Sequence, residues 1–442
     1  MAPERKHAEL DIILRWAKAA DAFEVTLVYD HPLEAQDYQE FVDAPLRFET
    51  AALELKVGDE EAYGRALSQM MFRDGSMHSF FDRAVTAAGS MPVHLRLLID
   101  PRAPAKYQAI RWESLRDPRL HQRLTTREDV RFSRYLNSPD WTRQVTPLAR
   151  ERNLKALIVV ANPSDVADYA PDGPAAGPLA PVDVPKELAL ARSALGNMSI
   201  ETLPDDRGGR PTLLQIIDRL RAGVNVLYLV CHGSIEEERS QLYLEDEHGE
   251  VDKISGKAFA RRIADVKRQP TIAFLGSCQS AGPGDEYLPS EAGPLSPMGP
   301  MLAEAGVAVV VAMQGNVTMT TTGRFMTRFF AELNRDGLAD RAMAVARSGV
   351  SDRPDWWMPV LFSRLRRGRA WYEPRFGGRE HAMFRDLRTR ISERNCLPVW
   401  VPESRGRASC RPERSWPTAG SSAGRCPLWR PVAATSRRWR ST

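Results

Sequence analysis

From Leu154 onward, short apolar runs alternate with longer amphipathic stretches, and this alternation constrains the fold more than any other feature of the chain. The runs are KALIVVAN, VNVLYLVC, PTIAFLGS and GVAVVVAMQ; the stretches are VPKELALARSAL, TLLQIIDRLRAG, SGKAFARRIADV and TTGRFMTRFFAELN. An extended run that is apolar at successive positions buries both of its faces, so it needs cover on both sides. Amphipathic helices between such runs supply that cover and the crossovers of a parallel sheet. Residues 151–370 therefore read as an α/β domain, a mostly parallel sheet sandwiched by helices. It is preceded, over residues 1–150, by an α+β region in which the strand-like FEVTLVYD and VHLRLLID flank the helical EEAYGRALSQMMF and MHSFFDRAVTAAG. The Pro-, Gly- and Ala-rich ADYAPDGPAAGPLAPVD reads as a surface loop, and LYLEDEHGEV as a polar hairpin turning near Glu247 to Gly249.

Composition narrows the function classes. Lys and Arg number 61 against 57 Asp and Glu, and a formal charge of +4 over 442 residues declares neither a nucleic acid nor an anionic membrane as partner. Charges interrupt the N-terminus every few residues, and nowhere do 18 apolar residues run together, so the expectation is a cytoplasmic protein without a membrane partner. Five cysteines without regular spacing do not make a disulfide framework. Residues 371–442 read as a linker and an irregular tail, and from Cys396 the chain holds nine Arg, no Lys and three of the five Cys with no periodicity. Two readings of this end stand: a basic tail without a packed core, or the out-of-frame end of a truncated domain.

Two apolar runs end in a way that packing does not demand. NVLYLVCHGS stops on Cys231, His232 and Gly233, and TIAFLGSCQSAG stops on Gly276, Ser277 and Cys278. In an open parallel sheet, reactive groups collect at the carboxyl ends of strands, where the loops converge. If the two strands are neighbours, the His232 imidazole and the Cys278 thiol face each other, the geometry of a nucleophile and its base. A free thiol is only a few per cent thiolate at neutral pH and needs such a partner. Small residues around Cys278 leave room for a polypeptide, and the backbone N–H groups of Gly233 and Cys278 are candidate oxyanion donors. Singly, each residue has a plainer reading, a hydrogen-bonded structural His and a packed Cys; the pairing is what favours chemistry. Cys231, opposite in parity to His232, reads as core, and a zinc site from Cys231, His232 and Cys278 lacks a fourth ligand, so no metal is expected. Asn162, with Pro163, and Gln314 follow other strand ends and are candidate pocket walls.

LYLVCHG, LEDEHGEV and IAFLGSCQSAG, in this order, resemble the CHAT family, caspase-like domains in the clan of caspases, separase and gingipains. AYGRALSQMMF, RWESLRDP, FSRYLNSPDW, ALIVVANPSD, LAPVDVPKELALARSALG and WWMPVLFSR extend the likeness over roughly residues 20 to 370. The resemblance implies a caspase-hemoglobinase-like fold and a cysteine endopeptidase without cofactor, with His232 as general base, Cys278 as nucleophile, and Gly233 and Cys278 as oxyanion donors. It also implies a role in bacterial defence or regulated cell death. Gly-Ser-Cys-Gln stands where caspases have Gln-Ala-Cys, so a preference for aspartate before the cut bond does not transfer. Clan members that cut after basic residues line that pocket with an acid, for which Asp285, Glu286 and Glu291 are the candidates. HAMFRDLRTRISERNCLPV looks like the entry to a sirtuin-like domain, and the likeness stops after Val399.

The expected partners are a protein or peptide substrate and an upstream activator, with no specific nucleic acid. Two rival readings are a catalytically silent scaffold that binds a peptide or partner domain, and a tail-driven association with nucleic acid or membrane, which added salt would weaken.

Overall fold

The computed structural model describes residues 7–31, 38–100, 102–135, 154–169, 178–196, 198–236, 239–276, 298–314, 317–365 and 368–371. Two compact units, Met1–Pro374 and Arg375–Thr442, divide the chain, and all of the described residues belong to the first. Its leading strands are β1 (Ala8–Ala17), β2 (Ala22–Asp30), β3 (Tyr38–Leu46), β4 (Val93–Ile99) and β5 (Val130–Tyr135). The second half contributes β6 (Lys155–Val160), β7 (Ser199–Leu203), β8 (Val226–Val230), β9 (His232–Glu236), β10 (Arg239–Glu245), β11 (Val251–Ser255), β12 (Ile272–Gly276), β13 (Val309–Met313) and β14 (Pro359–Ser363).

Eleven strands form one sheet in the order β3-β2-β1-β4-β5-β14-β13-β12-β8-β6-β7. From β13 to β7 every pairing is parallel; β14 runs antiparallel to β13, and β5, β4 and β1 pair in parallel before β2 and β3 close the far edge as antiparallel strands. The expected α/β architecture, a mostly parallel sheet flanked by helices, is therefore the one observed.

Strand parity explains why both faces are covered. On β8, Val226, Tyr228 and Val230 pack into one core with the helices Val184–Leu195, Met319–Asp336 and Ala339–Ser348. Leu227 and Leu229, at the alternate positions, pack with Leu213–Arg221 and Gly256–Ala264 on the other face. β12 repeats the pattern, with Ile272 and Phe274 on the first face and Ala273 and Leu275 on the second. Burying a side chain of this kind is worth about 1.5–3 kcal/mol, and full alternation over central strands makes this half of the sheet the stable platform. Side-chain caps start the helices where sequence turns from apolar run to amphipathic stretch. Asp183 accepts from Lys186 N–H, Thr212 from Gln215, Ser255 from Ala258 and Thr318 from Thr321.

The two halves of the sheet meet at β14 and β5, which among the described residues share the register pairs Phe362↔Arg134 and Ser363↔Tyr135. A buried charge cluster reinforces this narrow seam. Arg134 forks onto both oxygens of Glu113 at 3.0 and 2.6 Å and reaches Gln314 Oε1 at 2.8 Å. Arg347, fully buried, donates to the Pro359 carbonyl at 2.8 and 3.1 Å and stands 3.8 Å from Glu113. Burial pushes its guanidinium down to about 10.

Candidate active site

β8 lies between β6 and β12, and the three strands end level: Val230 pairs with Val160 on one side and Gly276 on the other. Beyond that line Ala161 N–H still donates to Val230 O at 2.9 Å and Cys231 N–H to Gly276 O at 3.3 Å. The chain then leaves the main sheet as β9, the edge of a three-stranded antiparallel sheet in the order β11-β10-β9. β10 and β11 form the hairpin expected from LYLEDEHGEV.

His232 is the first residue of β9, opposite Tyr243, and is 2% exposed. Its Nε2 lies 2.8 Å from the carbonyl oxygen of Ala180. A carbonyl can only accept, so Nε2 carries the proton and the neutral ring keeps its lone pair on Nδ1. Burial lowers the pKa of the imidazole, against a smaller upward pull from the Ala180 carbonyl, so the neutral base is the favoured form.

Ala180 has no side chain with which to take part; its role depends on how its backbone is held. Asn162, just past the end of β6, accepts Val182 N–H on its Oδ1 at 2.7 Å, and its own N–H donates to Glu245 Oε1 at 3.1 Å. Leu179 N–H donates to Tyr169 O at 2.8 Å, and the Leu179 side chain packs with Val166 and Tyr243. Ala180 thus sits between two anchored neighbours. The sequence alone marks Asn162 as a candidate pocket wall; the structure shows its amide oxygen holding the loop that faces His232 and its backbone N–H tied to Glu245 of β10. The Ala180 carbonyl has no sequence signature, because any residue could supply it.

Past His232, Gly233 stands opposite Leu242. The hydroxyl of Tyr243 donates to Ser234 Oγ at 3.1 Å, Ser234 donates to Glu236 Oε1 at 3.1 Å, and Lys253 reaches the same oxygen at 2.9 Å. These bonds, Lys253 first, lower the pKa of Glu236. They stiffen β9 immediately after the imidazole.

Cys231 belongs to the opposite core face, fully buried among Leu229, Leu244 and their neighbours, and burial alone pushes its thiol up to about 12. It is packing, as its parity indicates. Gln314 follows β13, 6% exposed, with Nε2 donating to the carbonyls of Ala109 at 2.8 Å and Ile110 at 3.1 Å and Oε1 accepting from Arg134. Its amide is committed to the seam between the sheet halves. Cys278, Asp285, Glu286 and Glu291 lie outside the described residues, as do residues 372–442. Gly276 is the last described residue of β12. No helix among the described residues is long and apolar enough to cross a membrane.

The CHAT domain family model matches residues 61–367, more than half of the chain. No curated protein sequence matches. Among solved structures, the 2.6 Å Saccharomyces cerevisiae separase-securin complex aligns over 81% of this chain and 30% of the other with 9% identity and a TM-score of 0.40. The 3.0 Å structure of a Saccharomyces cerevisiae separase-securin complex aligns over 66% of this chain and 17% of the other, with 12% identity and a TM-score of 0.35. The Drosophila initiator caspase Dronc aligns over 52% of this chain and 88% of its own length, with 12% identity and a TM-score of 0.29. The aligned region is thus less than a third of either separase-complex chain.

Proposed function

The chain belongs to the CHAT domain family, and from that membership we propose that it is a cysteine endopeptidase acting on a protein substrate, with His232 as general base and Cys278 as nucleophile. The observation that carries this reading is the pairing of Val230 with Gly276. In the sequence His232 is two residues past Val230 and Cys278 two residues past Gly276, so the proposed base and nucleophile follow the paired ends of two adjacent parallel strands at equal sequence offsets.

In the proposed cycle the Cys278 thiol gives its proton to His232 Nδ1, the ring nitrogen opposite the one bound to Ala180. The thiolate forms a bond to the scissile carbonyl carbon, and the carbonyl electron pair moves onto oxygen. The backbone N–H groups of Gly233 and Cys278 are the donors proposed for that oxyanion. Collapse expels the amine, which takes the proton from His232 and leaves a thioester. Water, its proton drawn to the same nitrogen, then attacks the thioester and releases the acid and the thiol. The bond from Nε2–H to Ala180 supports this sequence because it fixes the tautomer and steadies the imidazolium between proton transfers. Asp285, Glu286 and Glu291 remain our candidates for recognition of a basic residue before the cut bond.

The reading is tested with acyloxymethyl ketone peptides carrying acidic, basic or apolar residues next to the warhead, read by intact mass. One adduct, absent from Cys278→Ala and slowed in His232→Ala, is the expected result. A folded wild-type protein that takes up no probe with any side-chain class would favour instead a silent scaffold that binds a peptide without cutting it.

A further inference from the structure

A second site lies far along the chain from the imidazole. The helix Glu60–Met71, the helix Gly75–Ala88 and the loop after Ser114 enclose a cleft of about 410 Å³, whose walls include Arg65, Phe72, His78, Arg116, Pro118 and His121. The volume is that of small-molecule sites in general. Every ionisable side chain in the lining is basic: two arginines and two histidines, with no acid among them.

Arg116 is the residue that requires explanation. It is 8% exposed, yet among the described residues no carboxylate stands within ion-pair distance of it. Its Nη1 donates to the His121 carbonyl at 2.9 Å, while its Nε is buried without a hydrogen-bond partner. Glu61, the acid whose field it feels most, is taken by Arg65. A buried guanidinium is ordinarily paired and its N–H groups bonded, because its desolvation is expensive otherwise. The surrounding loop is built to hold it so. Arg116 N–H donates to Ser68 Oγ at 2.7 Å, and Asp117 and His121 close a tight turn through Asp117 N–H to Gln122 O and His121 N–H to Asp117 O, both 2.8 Å. In that turn His121 takes φ 56°, a left-handed conformation uncommon for a side-chain-bearing residue.

We propose that this cleft binds a small organic anion, its phosphate or carboxylate head on Arg116 and the exposed basic rim of Arg65, His78 and His121, its flat apolar body against Phe72 and Pro118. Guanidinium groups suit such oxyanions because their N–H groups fork onto two oxygens. The paired Asp117 does not compete, since its carboxylate is already held by Arg119 at 2.9 Å and Arg127 at 3.2 Å. The ligand is set apart from inorganic phosphate by the apolar wall, which a bare ion would leave unused.

The experiment is calorimetric titration of the full chain with phenyl phosphate, benzoate, inorganic phosphate and benzyl alcohol at one ionic strength. Saturable binding of phenyl phosphate or benzoate, about tenfold or more tighter than inorganic phosphate and absent for benzyl alcohol, is expected. Arg116→Gln should weaken that binding at least about tenfold, and Arg116→Lys less. Because a core arginine substitution can unfold the loop, the exposed pair Arg65→Ala and His121→Asn is titrated as well; Asn accepts the left-handed backbone, and each change should weaken binding several-fold with the melting temperature unchanged. Absence of saturable binding by both aromatic anions, equal affinity for benzyl alcohol, or full affinity in the Arg116→Gln protein would each overturn the proposal.

Discussion

The side-chain oxygen of Asn162 lies 2.7 Å from the backbone nitrogen of Val182, and through that bond a residue at the end of one strand sets where the Ala180 carbonyl meets His232. Asn162→Ala removes the acceptor and should lower the rate of active-site labelling about tenfold by misplacing the imidazole, at a cost of about 1 kcal/mol in stability. Asn162→Asp keeps an acceptor at the same reach and should retain most of the rate. Labelling kinetics and urea melts of the two variants check this; equal losses in both would refute a positioning role.

The titration of His232 has a sign fixed by its surroundings. Burial holds its pKa below the ordinary value near 6.5, so the folded protein favours the neutral ring. Its contribution to stability is complete above the unfolded pKa. That contribution is lost as pH falls below about 6.5 toward the lower folded value, because the unfolded chain takes up the proton first. In Cys278→Ala, which removes coupling to a thiolate, the His232 ring resonance should move with a midpoint below about 6.5. A midpoint above that value would contradict the burial described.

Glu113 is the one carboxylate facing both Arg134 and Arg347 across the seam among the described residues. Glu113→Ala strands two buried guanidinium groups and should destabilise the chain by about 3–5 kcal/mol. Gln314→Ala removes one partner each from the Ala109 carbonyl, the Ile110 carbonyl and Arg134 Nη2, of which Ile110 keeps the Trp112 N–H, and should cost about 1–3 kcal/mol. If Gln314 serves only this seam, probe uptake per folded molecule should be unchanged in the second variant. Denaturant melts with labelling on the same samples separate the two effects.

Cys231 should be inert toward iodoacetamide at pH 8 in the native protein and react only on unfolding, since burial holds its thiol near 12. Cys231→Ser puts a hydroxyl into an apolar site and should destabilise by about 1–3 kcal/mol. Mass mapping of carbamidomethyl groups before and after denaturation tells whether native thiol reactivity comes from this position.

The doubly buried strands are legible in the sequence because their apolar runs are unbroken: β8 and β12 need cover on both faces, and helices of matching length stand between them. β1 is not. AELDIILRWA carries Glu9, Asp11 and Arg15, and charges at that density interrupt the apolar run. In the fold Arg96 of β4, the register partner of Asp11, binds Asp11 at 2.6 Å and Glu9 at 3.0 Å, so the charges are answered across the strand pair. No local pattern announces a partner 85 residues away. The same limit applies at the site. His232 stands out because a titratable ring after an apolar run is chemically unusual, whereas the carbonyl that orients it belongs to an alanine and the residue that holds the carbonyl resembles a pocket wall.

The antiparallel β14 has a practical consequence. It joins β13 along its whole length and, among the described residues, meets β5 at two positions, and all five of its residues are buried. A recombinant fragment beginning near residue 151 would carry the imidazole and the central strands yet present PVLFS as a bare, apolar edge. Such edges recruit other copies by strand addition. The second half expressed alone should therefore self-associate on gel filtration. Adding back the leading half, or a Lys on the edge, is the route to a monodisperse sample.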